Sequence, residues 1–235
     1  MKPAPVTFIS VQGTYNKIEL ALFCNDHCLD HVVQIDVKAS SHLIPLLQNM
    51  LEKHSLTLSN LSFIAVDHGP GAFTSLRVTL STVNGIAFAA GIPVVGVSGL
   101  HALLYQAQQH ILTESSKKRC FIALLNAFNA DVYYLIASEG ATPWIGCKNS
   151  DVLLDELVDL KSTYDFVWIG NGVRLSIKET DVRFDITSLQ IVSTVCDVAC
   201  ATAIGHLAYQ RWQQDGGSTQ VEPYYLKTQL FAVKK

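Results

Sequence analysis

Residues 63–98 constrain this chain most, because they read in order as strand, glycine turn, helix, glycine stop and second strand. Phe63-Ile64-Ala65-Val66 is an apolar run of buried-strand length. Behind Asp67, His68-Gly69-Pro70-Gly71 forces a sharp turn, since glycine reaches positive φ without penalty and proline fixes its own φ. The next segment spreads Phe73, Leu76, Val78, Leu80, Val83, Ile86, Ala87 and Ala90 over a wide helical face, and the small residues Ser81, Gly85 and Ala89 let another helix approach closely. Gly91 stands where a C-cap glycine belongs, Pro93 stops the helix, and Val94-Val95-Gly96-Val97 resumes the sheet. The turn has two readings. It is either a structural bend that positions a docking helix, or an anion or nucleotide-phosphate site at Gly69, Gly71 and Thr74, where a helix N-terminus offers free amides. The Lys-Ser/Thr ending of a P-loop and the spacing Gly-x-Gly-x-x-Gly are both missing, which favours the structural bend.

At 235 residues the chain can bury a substantial core, as one large domain or two small ones. Its 16% charged residues and net charge of −3 give no electrostatic bias toward nucleic acid, so direct RNA contact is expected to be weak or absent. Met1 to Pro5 lead straight into strand-like residues without an apolar signal core, and no apolar run reaches about 18 residues. A cytoplasmic protein with no membrane partner is expected, and six scattered cysteines suit reduced thiols better than a disulfide framework.

Val6–Val11, Ile18–Phe23 and Leu29–Val37 predict an opening antiparallel meander. Cys24, His27, Cys28 and His31 carry metal-type side chains, but around a hairpin tip they diverge and no second pair completes a tetrahedral site; no metal is expected. Residues 40–54 predict a helix capped by Ser40 or Ser41, with Leu43, Leu46, Leu47, Met50 and Leu51 on one face and Pro45 near its first turn. Residues 99–107 predict another helix, 108–118 a polar linker, and Phe121–Leu125 with Val132–Ile136 a second hairpin. A helix over 151–160, a buried strand Phe166–Ile169 with the turn Gly170-Asn171-Gly172, and a last helix over 197–213 follow. Cys196 and Cys200 lie one turn apart there without further ligands, and the tail beyond Lys227 is expected to fray.

The run from His68-Gly69-Pro70-Gly71-Ala72-Phe73-Thr74 through Leu76-Arg77, Gly85-Ile86-Ala87, Gly91-Ile92-Pro93 and Gly96-Val97-Ser98 resembles the TsaB (YeaZ-like) family. These are non-catalytic paralogues of the transferase TsaD, within the M22 glycoprotease-like group, and the ending Pro223-Tyr224-Tyr225-Leu226-Lys227 resembles the family's as well. The resemblance implies an α/β, actin-like ATPase (ribonuclease-H-like) fold of two subdomains, residues 1–107 and 108–235, each a mixed sheet flanked by helices. It implies an accessory subunit for N6-threonylcarbamoyladenosine formation at tRNA position 37, without catalytic residues, metal or cofactor of its own. The implied partners are TsaD in a heterodimer and TsaE in a ternary complex where those two hold ATP, with a homodimer when the chain is alone. The partner-binding helix pair would comprise Leu43, Leu46, Leu47, Met50, Leu51, Phe73, Leu76, Leu80, Val83, Asn84 and Ala87. The chain departs from the family at Gln12-Gly13, where Asp-Thr is usual, and at Asn126-Ala127-Phe128, where Asp-Ala-Arg is common. Gly99 and Leu103 occupy the places of the transferase's paired metal histidines. The rival readings are an M22-type metalloprotease or actin-like ATPase/kinase, which would need a metal or Mg²⁺-nucleotide site, and a homodimeric regulator with another partner.

Overall fold

The structure is a computed structural model that describes residues 4–110, 117–177, 181–184, 190–192 and 197–227. It begins with β1 (Thr7–Gln12), β2 (Lys17–Cys24) and β3 (His27–Ile35), then α1 (Ala39–Lys53), β4 (Phe63–Asp67), α2 (Phe73–Ala90), β5 (Val94–Val97) and α3 (Gly99–Gln109). The second half holds β6 (Lys118–Asn126), β7 (Asp131–Ser138), β8 (Trp144–Asn149), α4 (Ser150–Val158), β9 (Tyr164–Ile169), α5 (Val173–Ser176), β10 (Gln190–Val192) and α6 (Ala201–Asp215).

Two mixed five-stranded sheets result, ordered β3-β2-β1-β4-β5 and β10-β9-β6-β7-β8. Each has an antiparallel meander on one side and parallel strands on the other, so the second repeats the first. This is the duplicated sheet of the actin-like, ribonuclease-H-like fold. In the first sheet β1, β2 and β4 are buried on both faces, which explains their near-continuous apolar sequence. Ile9, Val11, Leu20, Leu22 and Ile64 face α1 and α2, while Phe8, Phe23, Phe63 and Val95 face α6. Phe8 stacks between Phe23 and Phe63 with ring centroids 4.9 and 4.3 Å away.

Helix α2 ends as its sequence requires. Gly91 has φ +67, and the Ile92 amide donates to the Ala87 carbonyl at 3.0 Å, closing a Schellman turn. Elsewhere local signals mislead. No serine side chain caps α1, whose N-cap is Lys38. Pro45 therefore falls in its second turn, where the helix tolerates the missing amide on an exposed face. The last helix starts at Ala201 instead of Asp197, because Asp197 adopts φ +25 and the Cys200 Sγ accepts the Ala203 amide as the cap. Strands β8 and β10 go unpredicted, being short and only half-buried. Helix α3 reaches Gln109, into the predicted linker, most of which (111–116) lies outside the described residues together with Cys196 and the tail beyond Lys227. Helix α6 leaves the second half of the sequence to pack on the first sheet, filling its otherwise bare face.

Candidate functional site

Four turns meet between the two sheets: Gln12–Tyr15 after β1, Asp67–Gly71 after β4, Asn126–Ala130 after β6 and Gly170–Gly172 after β9. The side chains of these turns decide what the chain can do there. At its base Asp67 is buried, accepting the Gly69 amide at 2.8 Å and the Thr14 hydroxyl at 3.4 Å, with the start of α3 at Gly99 against its oxygens. Burial holds its carboxyl up at about 6 despite these donors. Gln12 is wholly buried and donates through Nε2 to Thr14 Oγ1 at 2.7 Å, leaving its Oε1 without a partner. The bend Gly69-Pro70 is a cis peptide, and Gly69 has φ +107.

Tyr15 fills the inner end of the cleft. Its hydroxyl donates to the Asn126 carbonyl at 2.7 Å, its ring lies 6.4 Å from that of Phe128, and burial pushes its phenol far up. Asn126 in turn donates its amide to Asn171 Oδ1 at 2.8 Å. A Cβ at Gly170, which has φ +105, would lie 2.1 Å from the Leu124 carbonyl oxygen, so that glycine serves strand approach. Neutral side chains and hydrogen-bonded backbone thus fill the inner end of the cleft above a carboxylate, while Tyr15 and Phe128 also wall an open cavity of about 700 Å³ bordered by Lys38, Thr74 and Ser75.

This geometry bears on the sequence-derived anion site. The Gly69 amide is taken by Asp67, Gly71 packs on the Thr14 side chain, and an incoming anion there would meet the buried carboxylate; Thr74 alone is exposed. The cysteine and histidine cluster also disperses. His31 pairs with the buried Glu19, while Cys28 Sγ donates to the Asp30 carbonyl. Among the described residues no group of three or more His, Cys, Asp and Glu side chains could hold a metal.

The helix pair requires a correction in its faces. Leu43, Leu46, Leu47, Met50, Leu51, Leu76, Leu80, Val83 and Ala87 are all buried in the chain's own core against the first sheet. They share the apolar stripe because that stripe covers β1, β2 and β4, so they are not a partner surface. Asn84 is occupied too, exchanging hydrogen bonds of 2.9 and 3.0 Å with the Val221 backbone. Phe73 lies 3.9 Å beneath the Arg77 guanidinium, beside the Tyr225 ring. The free face of α2 carries Ser81, Gly85, Phe88 and Ala89. Phe88 is 86% exposed, and nothing lies within 4 Å of a Cβ placed on Gly85. A mid-helix glycine beside an aromatic out of phase with the core stripe was the available sequence signal.

Comparison with known proteins agrees with this architecture. The family profile described as TsaD, tRNA N6-adenosine threonylcarbamoyltransferase, matches residues 36–201. A protein named tRNA threonylcarbamoyladenosine biosynthesis protein TsaB from Buchnera aphidicola subsp. Schizaphis graminum is 24% identical over 147 residues, covering 61% of this chain and 68% of its own length. The Escherichia coli protein of the same name is 25% identical over 137 residues, 57% of each chain. The solved structure of YeaZ from Pseudomonas aeruginosa superposes with a TM-score of 0.70 at 20% identity, covering 94% of this chain and 100% of its own. With more than half its length matched by that profile, the chain belongs to the TsaD family and is a TsaB/YeaZ-like member of it.

Proposed function

We propose that the protein is an accessory subunit in tRNA N6-threonylcarbamoyladenosine biosynthesis, which binds and activates a TsaD transferase, together with TsaE, and does no chemistry itself. The names of its relatives support the pathway. The accessory role is supported by Gln12 where a phosphate-site acid is usual, by Gly99 and Leu103 in place of ligating side chains, and by Tyr15 filling the inner end of the cleft. One observation carries the mode of action: the outer face of α2 presents Gly85, open to solvent, next to the protruding Phe88. A small residue flanked by a large apolar one lets a second helix pack closely, with the aromatic as anchor. Ile44 is a further exposed apolar side chain, on α1. The same face serves a homodimer when the chain is alone.

Gly85→Trp and Phe88→Glu are the matching variants, since neither position contacts the core. Both are expected to keep the unfolding midpoint of the parent. Each should weaken co-purification with the TsaD of the same organism by at least about tenfold, the loss of one anchor residue. Unchanged binding by both variants would remove the helix face from the proposal.

A further inference from the structure

A cavity of about 350 Å³ borders the β4–α2 turn at His68, between the start of α3, the outer side of α6 and the C-terminal segment. Its walls carry His68, Ser98, His101, Arg211 and Tyr224, with Leu207 supplying apolar surface, and no Asp or Glu is among its lining residues. In a chain of net charge −3 such a concentration of basic side chains requires a reason. Arg211 makes no ion pair among the described residues; its guanidinium donates only to the Gly96 carbonyl. Ser98 is the N-cap of α3, yet its side chain makes no capping bond, and its hydroxyl is buried without any hydrogen-bond partner. Leaving a buried hydroxyl unpaired is costly, so it fits a position meant for an external acceptor. His68 donates through Nδ1 to the Glu222 carbonyl, 3.3 Å away, which leaves Nε2 for another partner, and its ring stacks on Tyr224 at 5.6 Å.

We propose that this cavity binds a small phosphorylated molecule, its phosphate held by Arg211, His68, His101 and the Ser98 hydroxyl, and its body against Tyr224 and Leu207. A guanidinium and a hydroxyl are donors that bind phosphate elsewhere, whereas the Gly99 amide at the start of α3 is already taken by the Gly69 carbonyl at 2.9 Å. Burial and the Arg211 charge hold both histidines below their ordinary range, so they are mostly neutral in the empty site and take up protons when a dianion enters. An adjoining cavity of about 410 Å³ shares His68 and Arg211 and gives a larger ligand room to extend; Asp215 and Glu222 are in its lining, so the uncharged or cationic part of a ligand would lie there and not its phosphate. Because Tyr224 and Glu222 belong to the C-terminal segment, a bound phosphate would also fasten that segment to the turn.

The test is a chemical-shift titration of the full chain with inorganic phosphate and phenyl phosphate, against acetate and chloride at constant ionic strength. Saturable shifts at the amides of Ser98 to His101, tighter for phenyl phosphate than for inorganic phosphate, are expected. Arg211→Gln should weaken both at least about tenfold. His101→Ala, at an exposed position that leaves the fold intact, should weaken both less. Shifts that rise linearly, that acetate or chloride reproduce, or that persist unchanged in both variants would overturn the site.

Discussion

At the scale of single residues, Asp67 has the most informative environment. Its carboxyl titrates at about 6 in the folded chain because burial outweighs the Gly69 and Thr14 donors, against about 3.9 when unfolded. Between those values the unfolded chain has lost the proton and the folded chain keeps it, so stability falls as pH rises from about 4 to about 6. A shift of this size amounts to about 3 kcal/mol. Asp67→Asn abolishes the titration. Denaturant unfolding at pH 4.5 and pH 7.5 should show the parent losing about 2 kcal/mol more than the variant as pH rises, and equal losses would mean that Asp67 is not held up by burial. The anticipated anion site at Gly69 and Gly71 was drawn from glycine spacing. What spacing does not carry is that the carboxylate two residues earlier folds back onto the same amide.

At the scale of elements, α2 shows how a correct helix can be assigned the wrong face. Its limits, its glycine stop and its small residues were legible, because caps and periodicity are local properties. Which side of a wide apolar stripe meets the sheet is not local, and Leu80, 2% exposed, lies within the core. Leu80→Glu should cost at least about 3 kcal/mol by burying an unpaired charge, and so abolish folding and binding together. Gly85→Ala should instead stabilise the isolated chain by about 1 kcal/mol, since the new methyl meets nothing and a mid-helix glycine is removed. Thermal melts of the two separate the faces. A destabilising Gly85→Ala would mean that the outer face is already packed.

At the scale of the whole molecule, the chain's end determines the arrangement. Helix α6 and the segment from Ser218 to Lys227 return to elements far earlier in sequence: Ser218 bridges to Val94, Val221 to Asn84, Tyr224 to His68 and Tyr225 to Arg77. Lys227 then crosses to the second sheet, pairing with Asp131 at 2.6 Å. The segment acts as a strap over the α2 side of the first sheet. Asn84→Ala removes both side-chain bonds to Val221, worth about 1 kcal/mol each. Limited proteolysis should then cut between 218 and 227 several-fold faster than in the parent, at a global stability lower by about 2 kcal/mol; an unchanged cutting rate would show that the other tethers suffice.

The sequence alone determined what short-range chemistry fixes: the strand-turn-helix-strand unit over residues 63–98, the opening meander and its repeat around Asn126. Those follow from period, turn residues and caps, each set by neighbours within a few positions. Tertiary structure decided the rest. It buried the face of α2 that resembled a docking surface and exposed Gly85 and Phe88. It brought α6 back across the molecule onto Phe8 and Phe23, filled the inner end of the cleft with Tyr15, and gathered His68, His101 and Arg211 around one cavity. Each of these depends on which residue, among several of equal hydrophobicity or charge, ends up opposite another about a hundred positions away, and only the packed chain holds that information.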